Sequence, residues 1–387
     1  MNGFVPGNSV VLLEGGSMFF SALLRAIESA LEEIHLESYI FENDHTGRRV
    51  ANALCDAARR GVRVHVLVDG FGGRSFVATL MSELVSAGVQ VLVYRREIRA
   101  FSLRRHRLRR LHRKVCVVDA QLAFVGGINI VDDILPNGPP HPRHDYAVQV
   151  QGPLVREIVA SARRLWWLVS WASLRRRREP SPVPRSGPVQ PVAGPVRAAF
   201  LIRDNLRHRR DIEDAYLDAI AGAQSEIVIA SAYFFPGRQF RQALTDAARR
   251  GVRVILILQG LSDHPVLAYA SRALYPYFLS CGVRLFEYGQ GILHAKVAVV
   301  DSRWATVGSS NIDPFSLLLA REANVMVEDE PFATQLRASL ALAMLEGAEE
   351  HHLDSLRRLP LTRRLASWIA YQFVRAAIGI AGFGGRH

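Results

Sequence analysis

Lysine is almost missing from this chain. Arginine supplies 46 of the 48 basic residues, and the two lysines are Lys114 and Lys296. A lysine ammonium is a compact point charge, whereas an arginine guanidinium is a wide planar fork, so the two are not interchangeable in a close-fitting site. Because arginine carries the positive charge everywhere else, we interpret the two lysines as functional residues in pockets that fit one small cation.

Cysteine and long apolar runs are also scarce. The three cysteines, Cys55, Cys116 and Cys281, are odd in number and widely spaced, so we expect core thiols and no disulfide framework, as is typical of a reducing compartment. No apolar run reaches the length of about 18 residues that a transmembrane helix needs, and we expect none. We also expect no signal peptide, because the start of the chain lacks a basic segment and Glu14 interrupts its apolar stretch.

Several catalytic signatures are absent as well. The sequence has no Gly-x-Ser-x-Gly nucleophile elbow, no Walker A loop and no Gly-x-Gly-x-x-Gly turn after a strand. These absences argue against a serine hydrolase of that type, a P-loop nucleotidase and a dinucleotide-binding domain. No compact cluster of histidine, cysteine and carboxylate residues predicts a transition-metal site. We therefore expect neither a metal nor a cofactor.

Positive charge is what the chain has in excess. A formal net charge of +12 and an isoelectric point near 10.2 predict an anionic partner, which could be nucleic acid, an acidic membrane or a phosphorylated substrate. At 387 residues the chain is long enough for two domains of about 150–200 residues each. No obligatory protein partner is evident from the sequence.

One motif occurs twice, with every matched position 182 residues from its partner. The first copy comprises His112–Asp119 and Gly126–Asn129, and the second comprises His294–Asp301 and Gly308–Asn311. An apolar, β-branched run follows the lysine in each copy, which predicts a strand. Because side chains on a strand alternate between two faces, the histidine and the lysine of each copy point the same way. An imidazole beside an ammonium suits an anionic phosphoryl group.

A second repeat indicates an internal duplication. The nonamer Asp56–Val64 is identical to Asp246–Val254 and reads as a helix end that leads into a buried strand. Strands and helices alternate in both halves, for example a strand at 34–41, a helix at 47–60 and a strand at 62–69. We predict an α/β fold with lobes at 1–175 and 197–348, a linker rich in proline and arginine at 176–196, and a basic amphipathic segment at 349–387.

The pattern His-x-Lys-x4-Asp-x6-Gly-(Gly/Ser)-x-Asn, present twice, resembles the signature of the phospholipase D superfamily. Nearly the whole chain resembles the bacterial cardiolipin synthases of that superfamily, notably at Asn8–Gly15, Glu37–Gly47 and Asp145–Pro153. The resemblance implies two similar lobes, each a mainly parallel or mixed sheet flanked by helices, which form a pseudo-dimer with one shared active site. It also implies transfer of a phosphatidyl group from a phosphatidylglycerol-like donor to a glycerol hydroxyl of a second phospholipid, through a phosphohistidine.

The resemblance assigns roles to the motif residues. His112 is the expected nucleophile and His294 the expected general acid and base, although the residues alone do not rank them. The side chains expected to hold the phosphate oxygens are those of Lys114, Lys296, Asn129, Asn311 and Ser309.

Four carboxylates complete the candidate site. Asp119 and Asp301 belong to the catalytic motifs, but they end their strands, so we expect them to brace the motif loops. An attacking imidazole needs its other nitrogen oriented by a partner such as a carboxylate. In the family that partner follows the motif, which assigns Asp145 to the first half and Glu322 to the second.

Three basic segments are candidates for contact with an anionic partner. Arg163–Arg178 and Leu361–Gly384 combine tryptophan with arginine, and each could lie in a membrane interface or pack inward as an ordinary helix. The arginine-rich stretch Tyr94–Leu111 leads into His112 and is expected to steer an anionic headgroup. We predict peripheral binding to anionic phospholipid at the cytoplasmic face of the cell membrane.

Other functions remain open at this point. A phospholipase D-type phosphodiesterase could hydrolyse phospholipid or nucleic acid, and the positive charge would suit DNA. A catalytically inactive phosphate-binding module is the third alternative, although two complete motifs argue against it. The acceptor alcohol and the balance between transfer and hydrolysis are not readable from the residues.

Overall fold

The first half of the chain forms a mixed sheet with helices on both faces. The computed structural model describes residues 3–95, 109–134, 141–173, 191–204, 207–261, 265–313 and 320–378. The strands of the first half are β1 (Val5–Glu14), β2 (Glu33–Ser38), β3 (Arg63–Asp69), β4 (Gln90–Tyr94), β5 (Arg110–Leu111), β6 (Lys114–Val118), β7 (Leu122–Gly126) and β8 (Tyr146–Gln151). Its helices are α1 (Gly15–Glu28), α2 (His45–Arg59), α3 (Arg74–Thr79), α4 (Met81–Ser86) and α5 (Val155–Ala172).

The second half repeats this order of elements. Its strands are β9 (Val196–Arg203), β10 (Glu226–Ser231), β11 (Arg253–Gln259), β12 (Arg284–Tyr288), β13 (Lys296–Val300), β14 (Trp304–Gly308), β15 (Ala320–Glu328) and β16 (Ala348–His351). Its helices are α6 (Asp211–Gly222), α7 (Arg238–Arg249), α8 (Pro265–Arg272), α9 (Tyr275–Ser280), α10 (Glu330–Gly347), α11 (Leu353–Arg357) and α12 (Leu361–Ile378).

The two halves join edge to edge in one sheet. The strand order is β16-β12-β11-β10-β13-β14-β15-β9 followed by β1-β8-β7-β6-β2-β3-β4, and β5 pairs with β15 away from this path. Read outward from the β1–β9 junction, the two series run in the same order of equivalent strands, with β16 as an addition to the second. This topology confirms the predicted duplication and the two-lobed fold.

The sheet is mixed, with parallel pairing confined to a small part of each half. Strands β2, β3 and β4 are parallel, as are β10, β11 and β12, and the other neighbours on the main path pair antiparallel. Of the two arrangements expected, mainly parallel or mixed, the sheet has the mixed one. The two motif copies lie on hairpins, β6–β7 and β13–β14, and hairpins require antiparallel pairing.

The repeated nonamer makes the same helix-to-strand connection in both lobes. Gly61 and Gly251, which follow α2 and α7, have φ of 93° and 90°, a left-handed conformation that glycine adopts without strain. The second arginine of each nonamer binds a backbone carbonyl of the preceding helix. Arg60 donates to the carbonyl of Ile27 at 3.0 Å, and Arg250 donates to the carbonyl of Ile220 at 3.0 Å.

Three large apolar cores and a smaller cluster around Trp166 hold the described elements together. One lies between the lobes and combines side chains of both, such as Val115, Val148, Val297 and Val325. The other two lie under the outer helices of each lobe. One detail differs from the expectation of core thiols: Cys281 is half-buried, whereas Cys55 and Cys116 are buried.

Residues 349–378 are integrated with the second lobe. Strand β16 pairs with β12, and α12 contributes Val374 to the apolar core of that lobe. Much of the predicted linker, in 174–190, lies outside the described residues. So do the arginines at 175–178, residues 96–108 of the predicted steering segment, and 379–387 at the end of the chain.

The predicted tryptophan-rich interface segment divides between core and surface. On α5, Trp166 is 5% exposed and packs against the rings of His35 and His65, whereas Trp171 is 72% exposed. None of the helices within the described part of the chain combines the length and the apolar character needed to cross a membrane.

Candidate active site

Each motif histidine is held by the lobe to which it does not belong. The backbone N–H of His112 donates to the carbonyl of Arg321 at 3.0 Å, and that of His294 donates to the carbonyl of His144 at 2.8 Å. The short strand β5, just before His112, pairs with β15 of the second lobe. The segments that lead into the two motifs therefore cross between the lobes, which brings both histidines to the lobe interface.

The side chains follow the same crossed pattern. His112 Nδ1 lies 3.0 Å from Glu322 Oε1, and His294 Nδ1 lies 2.6 Å from Asp145 Oδ2. The sequence-based pairing of Asp145 with the first motif and Glu322 with the second was wrong, because each carboxylate reaches across the interface. A carboxylate only accepts hydrogen bonds, so Nδ1 is the donor and carries the proton. Nε2 of each imidazole is left with a lone pair that can react.

Ser309 supports one of these carboxylates. Its hydroxyl donates to Glu322 Oε2 at 2.5 Å, and its side chain is buried. The prediction that Ser309 binds substrate phosphate is therefore wrong in this structure, because the hydroxyl is directed at the carboxylate. The equivalent residue of the first copy is Gly127, where an added Cβ would lie 2.3 Å from Asp145 Oδ1. The glycine is needed because Asp145 packs directly against it.

Both lysines are buried beside their histidines. Lys114 is 5% exposed and donates to the carbonyl of His112 at 2.6 Å, and Lys296 is 1% exposed and donates to the carbonyl of His294. Lys296 Nζ also lies 4.0 Å from Asp145 Oδ2. These contacts fix each ammonium within the motif from which it comes. Two cations thus stand beside two imidazoles, as the repeated motif predicts.

Burial sets the protonation of these groups. Desolvation, the largest effect, lowers the pKa of His294 to about 4, with Lys296 adding to the shift and Asp145 opposing it. Desolvation also lowers the pKa of His112, against the opposing charge of Glu322. The pKa of Lys114 falls to about 7 for the same reason, opposed by Glu322. In the free protein at neutral pH both imidazoles are therefore neutral, and Lys114 is close to its titration point.

The two motif asparagines lie at the same place. Asn129 and Asn311 are 5% and 3% exposed, and both line one pocket with His112 and His294. Asn129 Oδ1 accepts a hydrogen bond from the backbone N–H of Ile40 at 3.2 Å, which fixes the orientation of its amide group. The structure thus brings together the histidines and asparagines of both copies.

This pocket has a volume of about 540 Å³. Its lining is polar where the motifs meet and apolar on the side formed by α8 and α12. We call the apolar side the apolar wall, and it consists of Val266, Leu267, Phe373, Val374 and Ala377. This wall was not predictable from the sequence, because an amphipathic pattern in the C-terminal segment does not show where the helix docks.

The motif aspartates lie at the far ends of their strands. Asp119 accepts hydrogen bonds from the backbone N–H groups of residues 31, 32 and 33 at 2.8–2.9 Å, and Asp301 does the same for residues 224, 225 and 226. Both have positive φ, 50° and 51°, in two equivalent β-turns. Strand β6 separates Asp119 from Lys114 by about 16 Å. The expected bracing is what the structure shows, and neither aspartate touches the pocket.

Two further residues position the motifs and were missed from the sequence. Asp69 ends β3, and its Oδ2 accepts from the backbone N–H of Leu111 at 2.8 Å. Gln259 ends β11, and its Oε1 accepts from the backbone N–H of Leu293 at 2.7 Å. Each side chain thus fixes the residue that precedes a motif histidine. Asp69 and Gln259 are 190 residues apart, which is also the offset between the two copies of the nonamer. This shared offset is the signal that could have identified the two residues as equivalent.

Glu33, His35 and His65 form a cluster that the sequence analysis did not expect. The three are buried on β2 and β3, away from the pocket, with candidate ligand atoms within 4.8 Å of one another. The imidazole rings of His35 and His65 are stacked, with centroids 4.4 Å apart and an interplanar angle of 7°. Glu33 is also bound by Arg163 through two hydrogen bonds. Stacked rings direct their in-plane lone pairs parallel to each other, so this arrangement does not suit one shared metal ion.

The comparisons with known proteins agree with this architecture. The sequence profile described as "Cardiolipin synthase, PLD-like domain" matches residues 23–166 and 216–342. Cardiolipin synthase B of Shigella flexneri is 39% identical over 386 residues, which covers 97% of this chain and 90% of that protein. Cardiolipin synthase A of Pseudomonas fluorescens is 33% identical, covering 91% of this chain and 73% of that protein.

Solved structures show the same fold. The phosphatidylserine synthase of Haemophilus influenzae superposes with a TM-score of 0.72 at 14% identity, covering 98% of this chain and 97% of that one. Two lobes that present paired His-Lys motifs to one pocket define a phospholipase D-like protein. Within that class, the chain belongs to the cardiolipin synthase family of PLD-like domains.

Proposed function

We propose that this protein is a cardiolipin synthase, which transfers a phosphatidyl group from one phospholipid to a hydroxyl of another. The observation that carries the proposal is the pocket in which His112 and His294 meet, each oriented by a carboxylate of the opposite lobe. Relatives named cardiolipin synthase B, which match nearly the whole chain, support the same reaction. The donor is a lipid of the phosphatidylglycerol type.

The first half of the reaction forms a covalent intermediate. His112 Nε2 attacks the phosphorus, and Glu322 stabilises the positive charge that develops on the ring by accepting from Nδ1. The bond between phosphorus and the headgroup oxygen breaks, and Nε2 of His294 donates a proton to the leaving alkoxide. The anionic phosphodiester raises the pKa of His294 on binding, so that the imidazole is protonated in the reactive complex. The products are phosphatidyl-His112 and glycerol.

The second half returns the protein to its starting state. His294 Nε2 takes a proton from the glycerol hydroxyl of a second phospholipid, and the oxygen attacks the phosphorus. The bond between phosphorus and His112 Nε2 breaks, and the new phosphodiester leaves as cardiolipin. The proton that His294 released in the first half is regained in the second, so no other reactant is needed.

The remaining polar groups suit the charge of the transition state. Lys114 and Lys296 place two ammonium groups beside the reacting histidines, and Asn129 and Asn311 add amide groups to the pocket lining. Buried donors that are fixed before the reaction stabilise developing negative charge without reorganising. We assign these four side chains to the non-bridging phosphate oxygens.

We also propose that the protein binds the cytoplasmic face of the cell membrane peripherally. Helix α12 exposes large apolar side chains on one face, between 53% and 77% exposed: Leu361, Leu365, Trp368, Ile369 and Phe373. Arg363, Arg364 and Arg375 lie on the same helix and are also exposed. Each basic residue near an anionic bilayer contributes about 1 kcal/mol, and apolar insertion adds to this.

Product analysis tests the enzymatic proposal. Purified protein is mixed with vesicles of phosphatidylglycerol, and the lipids are identified by mass spectrometry. We expect cardiolipin and glycerol in equal amounts, and neither with His112→Ala. Phosphatidic acid in place of cardiolipin would indicate a hydrolase. Cleavage of DNA or RNA with no reaction on the lipid would favour the nucleic-acid alternative.

Membrane binding is tested by co-sedimentation with vesicles. We expect wild-type protein to bind anionic vesicles more strongly than neutral ones, and Trp368→Ser with Ile369→Ser to weaken the binding. Point substitutions are preferable to removing the segment after Leu361, because Val374 is buried and α12 forms part of the pocket. Equal binding to both kinds of vesicle would contradict the anionic-membrane proposal.

A further inference from the structure

We propose that the apolar wall between α8 and α12 is an acyl-chain site, along which a phospholipid enters the pocket from the bilayer. This inference rests on the proposed function and adds the route and the residues that bind the lipid tail. It explains why a pocket lined by two imidazoles and two amide groups is apolar on one side.

The pocket has the two-sided chemistry of a phospholipid. His112, His294, Asn129 and Asn311 line its polar side, where a phosphodiester would be held. The apolar wall brings five side chains without charge to the same cavity. A soluble phosphodiester or a nucleic-acid strand would gain nothing from that wall, because neither has a hydrocarbon tail to bury.

The size of the pocket requires part of a lipid to remain outside. A volume of about 540 Å³ is in the range of pockets that enclose a drug-sized molecule. A phospholipid with two long acyl chains is larger than that, so only the headgroup and the first part of the chains fit inside. The rest of each chain must leave the pocket along a surface that stays apolar.

Helix α12 provides such a surface. Phe373 lines the pocket and is also 65% exposed, so it belongs both to the apolar wall and to the outward apolar face of the helix. Ile369 and Leu365 precede it by one and two turns, at the spacing that keeps side chains on one face. The apolar wall is therefore continuous with the face proposed to insert into the membrane. A chain that follows Phe373 passes from the bilayer to the pocket without crossing water.

Contacts on the inner face of α12 hold this wall in place. Val374 is 3% exposed, the ring of Tyr371 lies 5.5 Å from that of Phe235, and Arg241 donates to the Tyr371 hydroxyl at 3.1 Å. Anchored in this way, α12 presents the wall as a fixed part of the site. The arginines beside the outward face select an anionic lipid as the occupant, because their charge is opposite to that of its headgroup.

A matched pair of substitutions tests the acyl-chain site. Ala377→Phe narrows the pocket at its apolar wall. Ala366→Phe is the control, because residue 366 lies eleven positions earlier, about three turns along the same side of α12, and is exposed. Val266→Phe narrows the wall from α8 and provides a second test if the first variant unfolds. Glycerol release is measured from phosphatidylglycerol with dihexanoyl or dioleoyl chains, in mixed micelles of one detergent.

The measured quantity is the ratio of turnover on the long-chain lipid to turnover on the short-chain lipid. We expect this ratio to fall by about tenfold or more in Ala377→Phe and Val266→Phe, the scale of a misfit in an apolar pocket. In Ala366→Phe it should stay close to the wild-type ratio. An unchanged ratio in both wall variants, or an equal fall in the control, would overturn the acyl-chain site. Glycerol release without cardiolipin would overturn the proposed transfer and leave this test intact, whereas no release from either lipid would overturn both.

Discussion

Glu322 and His112 are 210 residues apart in the chain, yet Glu322 Oε1 lies 3.0 Å from His112 Nδ1. The reciprocal contact joins Asp145 to His294 at 2.6 Å. Neither lobe therefore contains a complete histidine-carboxylate pair, and each lobe completes the pair of the other. The single site at the interface is a consequence of this exchange, which makes the relative position of the lobes part of the chemistry.

The first prediction concerns the exchanged carboxylate. Glu322→Gln removes the charge that holds the Nδ1–H tautomer of His112, and turnover should fall by about 10²–10⁴-fold, the scale of replacing the orienting carboxylate of a catalytic histidine. Glu328→Gln, on the same strand but paired with Arg197 at the partly exposed end, is the control and should stay near wild type. Turnover in Glu322→Gln within a factor of about 2 of the control would contradict the orienting role.

The second prediction concerns the choice of lysine. Lys114→Arg keeps the positive charge but replaces a compact ammonium by a planar guanidinium in a buried position. Turnover should drop by about 10²-fold or more, the scale of losing one oxyanion donor. Lys296→Arg should behave alike. Near-normal activity in both folded variants would mean that the scarcity of lysine reflects composition and not chemistry.

The third prediction is the pH dependence of kcat/KM. Burial lowers the pKa of Lys114 from 10.5 to about 7, so its charge is present below about pH 7 and is lost above it. The rate should therefore fall more steeply above about pH 7, because the charge that holds the phosphate is then lost in addition to the proton of His294. On the acidic side, the lowered pKa of His112 keeps the nucleophile neutral to below pH 6.5. The same basic limb in wild type and in Lys114→Arg would contradict the assignment, since a guanidinium stays charged.

The fourth prediction concerns Asp69 as a positioning residue. Asp69→Asn keeps the size of the side chain but turns one of its acceptors into a donor facing a backbone N–H. We expect kcat to fall by about tenfold with little change in KM, the cost of one misplaced hydrogen bond. Loss of the negative charge should also move the basic limb to lower pH, because Asp69 raises the pKa of Lys114.

Asp56→Asn provides the control for this prediction, because Asp56 is exposed and pairs with Arg59 on α2. A purely structural role of Asp69 would lower the free energy of unfolding and leave the pH profile where it is. That outcome would contradict the positioning role of Asp69 even if activity declined.

Much of the fold and part of the candidate site were predictable from the sequence. The strand period of two places His112 and Lys114 on one face, and the repeated motif identifies their counterparts, so the candidate residues that meet in the pocket and the two-lobed fold were predictable. The exchange of Asp145 and Glu322 was not, because spacing along the chain does not tell which lobe a side chain faces. Ser309 was misjudged for the same reason, since its hydroxyl turns to Glu322.

Two other features depend on packing that no local pattern encodes. Asp69 and Gln259 occupy equivalent positions but differ in residue type, so the chemical comparison of the two copies hides them. The amphipathic pattern of α12 predicted a face for the membrane, and that face is exposed in the structure. The docking of the opposite face against the second lobe, and with it the apolar wall, follows only from tertiary contacts.

The proposed mechanism depends on a covalent phosphatidyl-histidine formed on His112 in a site completed by both lobes. Its most direct test is mass-spectrometric peptide mapping of His294→Asn after brief reaction with phosphatidylglycerol and quenching at alkaline pH, where phosphohistidine persists. Wild type and His112→Asn serve as controls. We predict a phosphatidyl adduct on the peptide that contains His112 in wild type and none in His112→Asn. In His294→Asn the adduct should form more slowly, because His294 also protonates the leaving alkoxide in the first half of the reaction. An adduct on His294 in the wild type, or none on either histidine while cardiolipin is formed, would contradict the account.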